Sequence, residues 1–463
     1  MKKRDMLKSS LIAIAVTAGL SACSITSEVP QVELVSANFG TSANAVPQLK
    51  VEPWWQHFND QQLSELVSLT LQHNPSLTVA KANMLAAKAV FQDVDNDTLP
   101  KGNMSFSQDS NKVYNGSTEN RVLSRQIRGG FDVNWSLDLF GRIEHTIAAA
   151  QADAMAAELA WRDLQVELVA RTAQTYVEWL GFQAQIEVAE QNVASLTKTH
   201  QVITVRLESG YANELDLLRV TAQLKGVAAS IPALQARASQ VKAVLEALVG
   251  GDANLTDLQR SNLPTLDMPI AIVDPVSLLR RRSDIAAAEQ RLLAANARLN
   301  ANEAALYPDL SISGFLGFLS PEVNLLGNQT KAWQVAPSLS WPVFDLGSLQ
   351  ARIDIASAQQ QGAVAQLQQD WLTAVTQAKT ALSDYAFLQT EQHLLQAQVT
   401  ASAKALELAQ LQYEAGTIDL LNLLDSERTA LVAKDKLTQA NTRTFVALTS
   451  VYRAFAGDVS HAI

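Results

Sequence analysis

The chain repeats itself, so any fold it adopts must use each half for the same kind of part. At an offset of 206 residues, Trp135 falls on Trp341 and Gly141 on Gly347. The same offset sets Glu208 on Glu414, Gly210 on Gly416, Leu215 on Leu421, Leu217 on Leu423 and Leu218 on Leu424. Upstream the offset is 208, with Leu77 on Ile285, Ala80 on Ala288, Leu85 on Leu293 and Pro100 on Pro308. The two-residue slip lies between Pro100 and Trp135, where a loop can absorb it. Each copy reads helix, strand pair, very long helix, turn, helix. That order is coherent only if strands and helices sit in different solvents.

The N-terminus reads as a targeting signal. Lys2, Lys3, Arg4 and Lys8 precede an apolar run from Leu11 to Leu20. That run is too short to span a bilayer. It ends in Leu20-Ser21-Ala22-Cys23, which resembles the bacterial lipobox. The resemblance implies cleavage before Cys23 and a covalent lipid, palmitate included, on that cysteine. Ser24, rather than Asp, points to the outer membrane. Cys23 is the single cysteine, so an internal disulfide and a cysteine-based metal site are excluded. The formal net charge is -10, and loss of residues 1–22 removes three net positive charges, leaving about -13. This balance argues against nucleic acid as a partner. Residues 23–53 form a lipidated tether, 54–262 a first structural repeat and 263–463 a second.

Residues 60–98 read as helix. From Phe131 the chain then alternates strictly, with Phe131, Val133, Trp135, Leu137 and Leu139 against Asp132, Asn134, Ser136 and Asp138. In the second copy Trp333, Val335, Pro337, Leu339, Trp341 and Val343 alternate with smaller or polar residues. Partner strands lie near 102–108 and 309–318. Such alternation, with aromatic residues near the strand ends, suits strands with lipid on one side and water on the other. The links at 109–126 and 320–331 read as extracellular loops.

The period then changes. No proline occurs from Arg142 to Arg206, and Val166, Val169, Ala173, Tyr176 and Leu180 recur at spacings of three and four. Leu367, Trp371, Ala374, Ala378, Ala381, Tyr385 and Leu388 repeat that seam. This spacing specifies left-handed helix packing. About 65 residues at ~1.5 Å each extend roughly 100 Å. The helices stop at Glu208-Ser209-Gly210-Tyr211 and Glu414-Ala415-Gly416-Thr417, where glycine supplies a left-handed cap. A return helix begins near Asp216 and Leu421.

Two copies supply four strands, too few to close a membrane barrel, and an open edge in lipid leaves backbone groups unpaired. Strands in a membrane therefore require oligomerisation. A dimer gives eight strands and a trimer twelve, and the physics of the sequence does not choose between them.

Several stretches, in order, resemble the TolC-like outer-membrane factors, in the lipoprotein branch serving multidrug efflux pumps. They include Trp54-Trp55-Gln56-His57-Phe58-Asn59-Asp60, Leu279-Arg280-Arg281-Arg282-Ser283-Asp284-Ile285 and Leu306-Tyr307-Pro308-Asp309-Leu310. Leu339-Ser340-Trp341-Pro342-Val343-Phe344-Asp345 and Tyr413-Glu414-Ala415-Gly416, followed by Leu423-Leu424-Asp425, complete the set. Ser283 departs from the family's usual proline, which touches only a helix start. The resemblance implies a mainly α fold with membrane β structure. It would be a homotrimer with a 12-stranded outer-membrane β-barrel, continuous with a 12-helix periplasmic α-barrel. Its partners would be outer-membrane lipid, a periplasmic adaptor (membrane fusion) protein and an inner-membrane transporter of the RND type.

The resemblance also carries a gate to this chain. Its apolar and acidic residues map onto Leu421 and Asp425, with Arg428 the nearby base. Leu421 and Asp425 lie one turn apart on one helix face. Around a threefold axis they make an apolar ring and a charged ring, devices that gate channels. A plainer reading makes Asp425 a first-turn acid paired with Arg428. Adaptor contact is expected at Gly210, Tyr211, Gly416 and Thr417, which are also turn residues. The six histidines (57, 73, 145, 200, 393 and 461) form no ligand-spaced cluster, and no nucleophile motif or phosphate loop occurs. The expectation is therefore no enzyme activity, no metal and no cofactor beyond the lipid. The function the resemblance implies is a passive exit duct of a tripartite efflux or secretion system. The alternative is a non-conducting, lipid-anchored periplasmic coiled-coil protein.

Overall fold

The computed structural model describes residues 27–34, 53–115, 120–251, 258, 275–321 and 327–455. The signal segment, Cys23, most of the tether and His461 lie outside the described residues. The chain forms two compact units. One comprises Met1–Glu33, Asn83–Glu158 and Ala287–Gln368, the other Leu34–Ala82, Leu159–Ala286 and Gln369–Ile463. Each unit draws on both copies of the repeat, so the copies are intertwined rather than laid end to end.

The first unit holds a four-stranded antiparallel sheet, in the order β1 (Lys101–Asn115), β2 (Asn120–Leu137), β3 (Asp309–Ser320) and β4 (Lys331–Ser340). The register pairs Met104 with Phe131, Phe131 with Leu316 and Leu316 with Trp333. One face thus collects Met104, Phe106, Phe131, Val133, Trp135, Leu316, Phe318, Trp333 and Val335, all between 37 and 78 % exposed. The opposite face carries Ser105, Arg128, Asp132, Ser313 and Gln334 in the alternate positions. Phe315 is an apolar exception there, buried beneath the Arg128 guanidinium, which lies 3.8 Å from the ring centroid. Gly130 and Gly317 pair directly, and a Cβ on either would collide with the backbone of the other strand.

The expected loop at 109–126 is largely strand instead, because β1 runs to Asn115 and β2 begins at Asn120. A two-stranded ribbon satisfies its backbone whatever its side chains, so the hairpin outruns the apolar band that revealed it. At the other end the strands stop sooner than the alternation suggested, at Leu137 and Ser340. Pro342, which lacks an N–H, closes the second ladder.

The second unit is helical, and the parts of the helices within 83–158 and 287–368 belong to the first. The predicted helix at 60–98 is two, α1 (Gln61–His73) and α2 (Pro75–Asp95). Asn74 sits between them in extended conformation, as a residue before proline prefers. The long helix α3 spans Arg142–Glu208 and is followed by α4 (Glu214–Leu248). After a short α5 (Pro275–Arg280) and α6 (Ser283–Ala304), the second copy repeats the hairpin as α7 (Leu346–Glu414) and α8 (Leu420–Phe455). Ser283 opens α6, so the departure from proline leaves the helix start in place.

The heptad seam of α3 is the core. Val166, Val169, Ala173, Tyr176 and Leu180 are buried, as are Leu367, Trp371, Ala374, Ala378 and Ala381 of α7. Around Tyr176 gather Trp54, Phe58, Phe445 and Tyr452, with Trp54 stacked on Tyr452 at 5.0 Å. The Tyr176 hydroxyl donates to Asp60 Oδ2 at 3.0 Å, which satisfies the one polar atom such a ring brings inside. Helices α3 and α8 approach so closely at Gly181 that a Cβ would strike Thr442.

The duplication reappears as duplicated hydrogen bonds. Trp135 Nε1 donates to Thr98 O at 2.9 Å, and Trp341 Nε1 to Leu306 O at 3.0 Å. Asn74 Nδ2 donates to Leu248 O at 2.8 Å, and Arg282 Nη1 to Ala454 O at 3.2 Å. One equivalence fails in conformation. Gly141 is left-handed, with φ of 79°, whereas Gly347 lies inside α7.

Candidate functional site

The two hairpin turns of the helical unit are built alike. Gly210 and Gly416 take φ of 79° and 73°. Tyr211 N donates to Arg206 O at 2.7 Å and Gly210 N to Leu207 O at 3.0 Å. Thr417 N donates to Gln412 O at 2.9 Å and Gly416 N to Tyr413 O at 3.1 Å. This crossed pair of bonds needs the left-handed residue that glycine supplies without strain. The returning helices are capped by Asn213, which accepts from Asp216 N, and Asp419, which accepts from Asn422 N, both at 2.9 Å. The Arg206 guanidinium lies 4.5 Å from the Tyr413 ring centroid and couples the two turns. Tyr211 is 86 % exposed, and Gly210, Gly416 and Thr417 are exposed as well.

The first turns of α8 sort their residues by face. Leu420, Leu423, Leu424 and Glu427 are buried, the leucines against Leu196, Ile203, Val220 and Ala409. Leu421 is 56 % exposed. Asp425 and Arg428 are joined at 2.7 Å with both side chains largely in solvent. All three predicted gate residues therefore stand together on the exposed face. The ion pair expected of the plainer reading is made, but exposed pairs contribute only about 0–1 kcal/mol to a fold. The helix-dipole part of that reading fails. Asp425 lies beyond the first turn of α8, and the helix start is served by Asp419.

Sequence reasoning missed Glu427. It falls on the i, i+3, i+4 stripe of Leu420, Leu423 and Leu424, and an acid on an apolar stripe was the available signal. It also missed a polar cavity of about 90 Å³ lined by Asp163, Glu167, Arg282, Asp284, Gln377 and Arg453. Arg282 grips Asp284 with two bonds of 3.0 and 2.8 Å and reaches Gln377 Oε1 at 3.0 Å. Arg453 pairs with Glu167. Burial, helped by the Asp284 charge and opposed by Arg282, pushes the Asp163 carboxyl up to about 6.

In the sheet, Arg128 holds Asp132 on the polar face and Ser105 donates to the same carboxylate. No helix among the described residues is long and apolar enough to cross a membrane. No group of three or more His, Cys, Asp or Glu placed to hold a metal occurs among them either.

Comparison with known proteins agrees along most of the chain. The family described as "Outer membrane efflux protein" matches residues 66–251 and 275–457, one segment in each copy of the repeat. "Outer membrane protein OprJ" of Pseudomonas aeruginosa is 28 % identical over 97 % of this chain and 95 % of its own length. "Cation efflux system protein CusC" of Escherichia coli K12 is 27 % identical over 96 % and 99 %. The solved outer-membrane channel OprN superposes with a TM-score of 0.88 at 36 % identity. That match covers 94 % of this chain and 100 % of OprN.

Proposed function

The chain belongs to the outer membrane efflux protein family, and from that premise we propose that it is the exit duct of a tripartite efflux pump, gated at its helical turns. The observation that carries the reading is the sheet. Its large apolar side chains stand exposed on one face, its polar side chains on the other, and among the described residues β1 and β4 end it without further partners. In water that arrangement wastes apolar area and leaves two edges open, whereas a barrel shared among copies in lipid uses both. Three copies give twelve strands, enough to enclose a water-filled lumen lined by the Ser105, Arg128 and Asp132 face.

The energy for transport comes from an inner-membrane transporter, of the RND type in this reading, and a periplasmic adaptor joins it to the duct. Exposed Tyr211, with Gly210, Gly416 and Thr417, is the adaptor contact. The duct performs no chemistry. Cys23 carries the lipid that holds the N-terminus at the outer membrane. Leu421 and Asp425, repeated around the threefold axis, form the resting constriction, with Arg428 setting the Asp425 carboxylate.

Planar-bilayer recording on the detergent-purified trimer tests the gate. Asp425→Ala is expected to raise the resting conductance severalfold at neutral pH. A closed-state current equal to that of the parent would remove Asp425 from the constriction. A purified chain that is monomeric and soluble without detergent would overturn the duct itself.

A further inference from the structure

Glu427 is the one acid among the largest fully buried side chains, with 1 % of its surface exposed. It stands two residues beyond Asp425 but on the opposite face of α8. Its Oε1 accepts a hydrogen bond from Ser195 Oγ of α3 at 2.7 Å. Its Oε2 is buried with no hydrogen-bond partner among the described residues. Titratable neighbours along these helices are turned elsewhere. On α3, His200 meets Thr221, and Lys198 is exposed. On α7, Lys404 holds Glu407, and on α8 Asp425 holds Arg428. Lys434 reaches across to Gln191. Among the described residues no charged group compensates Glu427, whose environment is set by burial and by the Ser195 hydroxyl.

A carboxylate with one hydrogen bond and no counter-charge is costly to bury, whereas a neutral carboxylic acid is tolerated. We propose that Glu427 is a proton-dependent tie that holds the start of α8 against α3, neutral while the two helices are packed and ionised when they part. Burial raises the carboxyl above the ordinary glutamate range and the Ser195 bond partly opposes this. The packed state therefore binds the extra proton. Its advantage is full below the carboxyl's value in the parted state and is lost as pH rises through the packed-state value. For the gate, which rests on the reading proposed above, rising pH loosens the segment that bears Leu421 and Asp425.

Hydrogen exchange at the amides of residues 420–430, followed against pH in the full-length detergent-solubilised protein and corrected for intrinsic exchange, tests the tie. Protection is expected to fall about tenfold per pH unit in the window between the two carboxyl values, as release of one proton requires. In Glu427→Gln, which keeps the shape and cannot ionise, the profile should be flat. In Ser195→Ala, which removes the bond favouring the anion, the fall should begin at the same pH but continue to a higher one. An unchanged slope in Glu427→Gln, or a fall that ends at lower pH in Ser195→Ala, would overturn the proposal. Conductance measured in parallel separates the two readings. If protection titrates with Glu427 while the conductance does not, the tie stands and the gate assignment to Leu421 and Asp425 falls.

Discussion

The sheet and the helical unit wear their apolar residues on opposite sides. In the sheet, Trp333 is 78 % exposed and Met104 equally so, while Arg128, Asp132 and Ser105 bond to one another on the other face. In the helical unit, Trp371 and Tyr176 of the seam are fully buried, although Val205 of α3 and Phe387 and Leu394 of α7 stand exposed away from it. One chain thus obeys two solvent rules, and the rule changes where the side-chain period changes from two to seven. Exposure of a large apolar residue therefore has no fixed meaning. Trp333 and Trp371 are both satisfied, one by lipid and the other by protein.

The comparison can be broken most severely where the sheet has no room. Gly317→Val places side-chain atoms against the Gly129 carbonyl in a close-packed pair of strands. We expect loss of the assembled barrel, a cost above ~4 kcal/mol, seen as loss of the heat-sensitive oligomer on semi-native gels. Next in size, Trp371→Ala should cost the helical unit ~3–5 kcal/mol by leaving a cavity. Trp333→Ala should leave helical unfolding, followed by circular dichroism, nearly unchanged. Equal losses in the two tryptophan variants would show that the units do not answer to different solvents. The smallest effect is electrostatic and confined to the helical unit. Asp163, raised to about 6, favours the fold while protonated, and that contribution is lost as pH rises through about 6. Asp163→Asn should therefore be the more stable form at pH 8, by on the order of 2 kcal/mol after discounting for partial exposure, and equal near pH 4. Denaturant midpoints across that range check the sign.

Much of this was legible in the residues because period is local. The alternation at Phe131–Leu137 and the three-four seam from Val166 to Leu180 named their elements and their faces without tertiary information. The glycine turns at Gly210 and Gly416 were equally plain, since a left-handed cap is a property of a few adjacent residues. What escaped was settled by pairing at a distance. The extra length of β1 and β2 comes from a ribbon whose polar side chains carry no apolar signal. The break at Asn74 is local, since Pro75 disfavours helix at the residue before it, and only the bond from Asn74 to a carbonyl 174 residues away lay beyond the sequence. At the candidate gate, the segregation of Leu421, Asp425 and Arg428 from Leu420, Leu423 and Leu424 follows helical spacing and could be read. That Glu427 would lie inside against Ser195 required knowing which helix covers that stripe.

The two indole hydrogen bonds fix more than a pair of tryptophans. Thr98 and Trp135 are 37 residues apart, Leu306 and Trp341 only 35, yet both pairs close the same bond. The two-residue slip in register between the copies is therefore spent on the hairpin side of each bond. Residues can be added to or removed from a hairpin without re-registering anything behind its anchor. A lineage of such chains is free to revise the hairpin while inheriting the anchored joint behind it unaltered.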